Sequence, residues 1–243
     1  ALASWTGDRA LVTVATKGGM RRPNGAWIPD GRARHLRAAC AASRRALGVD
    51  TIDLYQLHVV DPKTPLQTSM RALAALKDAG AIRDVGLCNV TVGQIRDALS
   101  IVPVATVQVS LSPLDDENLR NGVAEFCRDH DIRLLAHRPL GGDRIRRIER
   151  DELLVRIAAK HGATPPDVVL AWLMSFGNRV VPLPGATRVE TARVLARALT
   201  LTLDEDDRAA LDARFGGRLL RVPRSARRPR PGSDGEVVIV MGM

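Results

Sequence analysis

Short apolar runs bounded by glycine, proline, asparagine or a charged residue alternate along the chain with longer stretches in which leucine, isoleucine, valine or methionine returns every three or four positions. The short runs predict strands and the longer ones amphipathic helices. Strands are expected over Leu11–Thr16, Ile52–Leu57, Ala81–Leu87, Val104–Val109, Ile132–Ala136 and Val180–Leu183. Between them, Leu36, Cys40 and Leu47 form the inward stripe of a helix from about Arg32, with Asp30 as its cap and Gly48 as its stop. Pro65 opens a second helix carrying Leu66, Met70, Leu73 and Leu76, which Gly80 ends. Thr91 caps a third, and further helices are expected over Asp115–His130, Asp151–His161, Pro166–Phe176, from Arg188 to about Ala198, and over Asp204–Phe215. The stretch Gly18–Gly31 (GGMRRPNGAWIPDG) is too long for a simple turn, and loops of that length are usually functional or disordered.

Strands alternating with helices at this spacing mean a parallel sheet built from βαβ crossovers. A closed (β/α)8 barrel needs eight such strands, whereas six are found, and an open six-stranded sheet would expose two apolar edges. The expectation is therefore an interior piece of a longer protein. After Phe215 an Arg/Pro-rich stretch, 216–235, reads as a linker, and 236–243 reads as another buried strand. That strand stops at a glycine able to begin a phosphate-cradling G-x-x-x-x-G-K-[ST] loop; a strand returning to the barrel, or a disordered end, is the equal alternative.

Composition narrows the class. A 243-residue chain that is 45% hydrophobic can bury a sizeable core, which at 3% aromatic residues must be aliphatic. Cys40, Cys88 and Cys127 are odd in number and lack C-x-x-C spacing, arguing for reduced thiols in a cytoplasm and against a disulfide framework or a metal site. No apolar run has the length of a membrane span, so no membrane partner is expected. The net charge of +9 lies mostly in one stretch, where Arg214, Arg218, Arg221, Arg224, Arg227, Arg228 and Arg230 meet no acidic residue between Asp212 and Asp234. No aromatic residue is interleaved from Arg218 to Arg230, so a solvated linker is favoured over nucleic-acid binding, which would show a steep salt dependence confined to that stretch.

Two strands end in titratable side chains. The first delivers Lys17 and the second His58, and lysine occurs at only three other positions. Alternation puts Ile52, Leu54, Gln56 and His58 on one face and Asp53, Tyr55 and Leu57 on the other. Barrel enzymes build their sites from such strand ends at the C-terminal rim. VTVATKGG (Val12–Gly19) followed by DLYQLHVVDP (Asp53–Pro62) resembles the aldo-keto reductase family, with Lys17 and His58 on its catalytic lysine and histidine. The resemblance implies a (β/α)8 TIM-type barrel over residues 1–215 that lacks the first two βα units. It further implies reduction of a small aldehyde or ketone by hydride from NADPH, with NADH the alternative. In that family a tyrosine protonates the carbonyl oxygen, its pKa lowered by the lysine, while the histidine orients the carbonyl. The family's tyrosine and its partner aspartate precede the lysine. Tyr55, the only tyrosine, faces the helices and does not replace it, so the segment alone is expected to be inactive.

The resemblance also implies a cofactor set. Cys88 and Asn89 (GLCN) and Gln108 (VQV) fall at the nicotinamide carboxamide, which needs a donor and an acceptor. Cys88 stands where a serine is common, and His137 where many members have a tyrosine beneath the ring. Pro139, Leu140 and Gly141 match the pyrophosphate-side loop, and Gly185, Ala186, Thr187 and Arg188 the last phosphate-side loop, where a helix N-terminus favours an anion. Arg188 or Arg193 is the candidate for a 2′-phosphate. No metal ligand set is expected. The strand at 236–243 resembles the start of a fused C-terminal P-loop kinase-like domain. The alternative function is a nicotinamide-nucleotide sensor that regulates such a domain with little turnover of its own, a reading that Cys88 and His137 favour.

Overall fold

The computed structural model describes residues 6–186, 189–220 and 238–241. In chain order the elements are β1 (Val12–Gly18), β2 (Met20–Arg21), β3 (Ile28–Pro29), α1 (Ala33–Leu47), β4 (Ile52–Leu57), α2 (Leu66–Asp78), β5 (Ile82–Cys88), α3 (Val92–Leu99) and β6 (Val104–Ser110). They continue with α4 (Glu117–Arg120), α5 (Val123–Asp129), β7 (Arg133–His137), α6 (Ile145–Glu149), α7 (Glu152–His161), α8 (Pro165–Met174), β8 (Val180–Leu183), α9 (Val189–Arg197), α10 (Glu205–Phe215) and β9 (Val238–Met241). Each of the six expected strands is present. The chain forms two compact units: one runs to Val107 and takes in β9, the other begins at Gln108.

In the first unit β1 lies parallel to β4, with Lys17 level with Gln56, and β4 lies parallel to β5, with Gln56 level with Gly86. β9 pairs in parallel with β1, Val12 opposite Val238. Side chains on β4 are buried throughout. Tyr55 points at α1, its hydroxyl donating to the Leu36 carbonyl at 3.4 Å, as its place on the strand requires. At the other end of β4, Asp53 accepts from the Val14 amide at 2.8 Å and pairs with Arg9 (2.8 Å) and Arg83 (3.0 Å), tying three strand starts together. Leu36, Met70, Leu73 and Ile95 seal the helix-facing side.

Two expectations change in this unit. Asp30 does not cap α1; the cap position is Arg32, which makes no side-chain capping bond, and Asp30 binds the Arg32 guanidinium instead. Gly18–Gly31 is an ordered hairpin, Arg21 paired antiparallel with Ile28 and reversed through Asn24 (φ 49) and Gly25 (φ 81).

In the second unit β7 and β8 are parallel, Leu134 level with Val180. The helix expected over Asp115–His130 is two helices, because Gly122 adopts φ 82 and the Asn121 side chain accepts from the Val123 amide at 3.1 Å to start the second. Apolar periodicity continues through the break, which is why the sequence pattern conceals it. Helix α8 is buried along most of its length, and Trp172 donates to Asp212 of α10 at 2.8 Å. Asp207 at the start of α10 holds α7 through Lys160 (3.0 Å) and His161 (2.6 Å). Among the described residues no helix is long and apolar enough to cross a membrane.

Gly18 is the tightest point of the first unit, since a Cβ there would lie 2.7 Å from Tyr55 Cζ and closer still to its hydroxyl. Gly18→Ala is expected to destabilise the fold by about 1–3 kcal/mol, the usual cost of overpacking. Urea denaturation measures it, and Tyr55→Leu in the same chain should recover part of the loss.

Candidate functional site

The parallel ladder between β1 and β4 continues one step past β4, where the His58 amide donates to the Gly18 carbonyl at 2.9 Å. That bond brings the strand ends carrying Lys17 and His58 side by side. Asn89, just after β5, donates from its side chain to the His58 carbonyl at 3.2 Å. It does so from a left-handed conformation, φ 55, which asparagine tolerates better than most residues. Lys17, His58, Cys88 and Asn89 are thus brought together at the C-terminal ends of three adjacent strands.

The register puts Lys17, Gln56 and Gly86 at one level with their side chains on a common face, opposite the face of Tyr55. That face carries buried polar side chains. Gln56 is fully buried and Thr106 nearly so, yet neither amide atom of Gln56 nor the Thr106 hydroxyl has a hydrogen-bond partner among the described residues. Gly86 is needed between them, because a Cβ there would meet Thr106 Oγ1 and lie 2.8 Å from Gln56 Cγ. Burial lowers the pKa of Lys17 despite the nearby Cys88 sulfur, which acts in the other direction. Burial likewise pushes the Cys88 thiol up to about 12, with Lys17 pulling it back. The thiol is therefore a neutral, weakly polar neighbour for the ammonium at physiological pH.

Next to His58 stands the β2–β3 hairpin. Its base is fastened by two buried carboxylates. The Arg32 side chain holds Asp30 well below the usual carboxylate range, and Asp30 also pairs with Arg21 at 3.0 Å. Burial opposes ionisation of Asp61. Hydrogen bonds from the Gly31 amide (2.9 Å), the Lys63 amide (2.8 Å) and the Thr64 hydroxyl (2.7 Å) outweigh it and lower the pKa. Trp27 leaves the hairpin edge-on to the His58 imidazole, ring centroids 5.8 Å apart. Sequence reasoning noticed this loop but assigned no site residue in it; an exposed tryptophan between two ion-paired strands is visible only after folding.

The second unit carries its own set. Gln108 is buried and its Oε1 has no partner among the described residues. His137 ends β7 exposed, and its carbonyl accepts from the Leu111 amide at 3.2 Å. Pro139, Leu140 and Gly141 follow in a tight turn, with Arg138 at φ 52 and Gly141 at φ 75. A cavity of about 230 Å³ opens on this turn, lined by Ser110, Ser112, Asp115, Arg138 and Arg144 among others. A non-glycine residue held in the left-handed region at a cavity is a common mark of a functional turn. Gly185 and Ala186 are exposed at the end of β8, with open space around Gly185. Thr187 and Arg188 lie outside the described residues, as does the arginine-rich stretch 221–237. Ser110, Ser112, Asp115 and Arg144 were not singled out from sequence, where nothing distinguishes them from ordinary turn and cap residues.

Known proteins are similar to the chain over most of its length. The family model described as "Aldo/keto reductase family" matches residues 1–214. An uncharacterized oxidoreductase of Schizosaccharomyces pombe is 32% identical over 203 residues, covering 83% of this chain and 65% of that protein. The aldo-keto reductase yakc [NADP(+)] of the same yeast is 30% identical, covering 82% and 68%. The chain thus spans about two thirds of the length of these relatives. Among solved structures, the thermostable aldo-keto reductase Tm1743 is 32% identical with a TM-score of 0.68, covering 75% of this chain and 67% of its own. The glycerol dehydrogenase of Gluconobacter oxydans superposes with a TM-score of 0.74 at 23% identity, a likeness of fold, covering 90% and 76%. The fold class expected from the sequence, a (β/α)8 barrel represented by about six of its βα units, is the one these structures share.

The electrostatics of Lys17 generate a prediction. Its pKa in the folded chain lies below the unfolded value, so the unfolded chain binds the proton more tightly, and stability rises with pH through that interval. Lys17→Met is expected to raise Tm at pH 7 by roughly 2–4 °C, as about 1 kcal/mol would in a chain of this size. The gain should shrink as pH rises through the unfolded lysine's pKa of about 10.4, above which wild-type Lys17 is neutral in both states; calorimetry across pH checks it.

Proposed function

Because the chain belongs to the aldo/keto reductase family, we propose that the protein containing it reduces small aldehydes or ketones with hydride from a nicotinamide nucleotide, NADPH in preference to NADH. The observation that carries the reading is the juxtaposition of Lys17 and His58 on adjacent parallel strand ends, bound through the Gly18 carbonyl. His58 would direct an imidazole N–H at the carbonyl oxygen. Lys17, partly desolvated and with no carboxylate paired to it among the described residues, would keep positive potential beside the proton donor and so favour proton release. Chemistry of this kind needs a site from which water is excluded, and the buried, unpaired polar groups on the Lys17 face are consistent with one.

The residues present fit a nicotinamide nucleotide. Gln108 keeps a buried acceptor with no partner among the described residues, which suits the N–H of a carboxamide, and Asn89 is held by its bond to the His58 carbonyl. The turn through Pro139–Gly141 and the cavity with Arg138 and Arg144 suit the anionic linkage of such a nucleotide. Cys88, His137, Gly185, Ala186, Thr187 and Arg188 complete the proposed contacts. When bound, the nucleotide supplies the hydride; the chain's part is to hold it and to position the proton. A relative named for NADP(+) supports NADPH as the cofactor.

A fluorescence titration with NADPH and with NADH tests the cofactor half. Saturable binding is expected, at least tenfold tighter for NADPH, and weakened about tenfold or more in Asn89→Ala and in Gln108→Ala, since each removes a hydrogen-bonding partner proposed for the carboxamide. In the natural protein, His58→Ala and Lys17→Met should each lower kcat by about 10²-fold or more. Undiminished turnover in both variants, or no turnover of any aldehyde or ketone, would end the reading.

A further inference from the structure

Trp27 is 54% exposed although it packs against a candidate catalytic residue, so it presents an open aromatic face beside the polar site. It is not loosely placed. The hairpin that presents it is pinned at its base by Asp30 and Asp61, and the Asp30 amide donates to the Gly19 carbonyl at 2.9 Å. The two consecutive arginines of the hairpin differ in their partners. Arg21 pairs with Asp30 at 3.0 Å, a carboxylate it shares with Arg32. Arg22 is exposed, meets no carboxylate among the described residues, and lies over the Trp27 ring with Cζ 4.6 Å from its centroid. Stacking on the indole stiffens the guanidinium while leaving its N–H fork open to an oxyanion. From the imidazole outward, then, the order is His58, Trp27 and a guanidinium with no carboxylate partner among the described residues, at 5.8 Å between ring centroids and 4.6 Å from Cζ to the indole centroid.

We propose that Arg22 and Trp27 form a substrate subsite that selects carbonyl compounds bearing an anionic group, Trp27 packing against the body of the substrate and Arg22 receiving its anion. This deepens the reductase reading and rests on it for the identity of the reacting group at His58. A carboxylate suits a planar guanidinium best, because two parallel N–H donors meet two oxygens. A phosphate presents the same charge, and a panel of substrates separates the two. Fixing the guanidinium in advance on a rigid hairpin lowers the entropic cost of ordering it on binding. The contact lies remote from the reacting bond, so it strengthens ground state and transition state alike and its loss is expected in KM.

The test compares 4-carboxybenzaldehyde with its neutral methyl ester, methyl 4-formylbenzoate, and with a phosphorylated benzaldehyde, in the natural protein. The carboxylate should be preferred in kcat/KM by about tenfold or more over the ester. Arg22→Ala should erase most of that preference through KM, and Arg22→Lys should restore part of it. Trp27→Ala should weaken both substrates and reduce the preference, because the guanidinium loses its support. A preference for the phosphate that disappears in Arg22→Ala supports the subsite and assigns it to phosphoryl substrates. Equal kcat/KM for charged and neutral aldehydes, or a preference untouched by Arg22→Ala, overturns it while the reductase reading stands. A separate measurement covers failure of that reading: binding of benzoate followed by tryptophan fluorescence, with and without Trp27. Benzoate binding weakened about tenfold in Arg22→Ala supports the anion subsite even without turnover, and binding indifferent to Arg22 overturns it.

Discussion

The register between β1 and β4 is the constraint on which the first unit depends. Lys17 level with Gln56, and the His58 amide on the Gly18 carbonyl, place both side chains on the polar face at neighbouring strand ends. Side chains alternate along a strand, so a slip of one residue would turn Lys17 toward the helices and Gly18 into the interior. Gly18 guards against that slip. Tyr55 fills the space a Cβ would need, and its hydroxyl is anchored on α1. One close contact on the helix side therefore fixes the positions of two side chains on the other side.

The polar face weakens the fold that carries it. A partly desolvated lysine, and an amide and a hydroxyl without hydrogen-bond partners among the described residues, are each unfavourable in a buried setting. Aliphatic substitutes would pack this face better. The surrounding helix-facing layer, with Leu36, Met70, Leu73 and Ile95 fully buried, supplies the compensation. A chain selected only for stability would have no reason to keep this arrangement, whereas one that binds a polar ligand and tunes a proton donor has.

The hairpin shows the same logic at the surface. Its charges are divided between structure and solvent: Arg21 and Arg32 hold Asp30, while Arg22 is left stacked on Trp27 and open. The segment would otherwise be a flexible loop of glycine, proline and asparagine. The two carboxylates at its base, both below their ordinary pKa, make it a rigid wall beside His58 throughout the neutral range.

Much was legible in the chain itself. Hydrophobic periodicity located six strands, β1 and β4 to β8, and most helices, because a strand buried on both faces and a helix with one apolar stripe leave different periods; the hairpin strands β2 and β3 were not among them. The positions of Lys17 and His58 at strand ends, and of Tyr55 on the opposite face, follow from alternation alone. Periodicity was blind where the backbone turns without changing its apolar pattern, as at Gly122, and where order comes from charges distant in sequence, as Asp61 binding Gly31 thirty residues earlier. Residue order determined which side chains reach the strand ends and which face each occupies, since those are local properties of a two-residue repeat. Only the tertiary structure decided which of the hairpin's arginines forms an ion pair and which is stacked on Trp27 with no ion pair among the described residues. Partner choice among like charges depends on three-dimensional proximity, which no local pattern encodes.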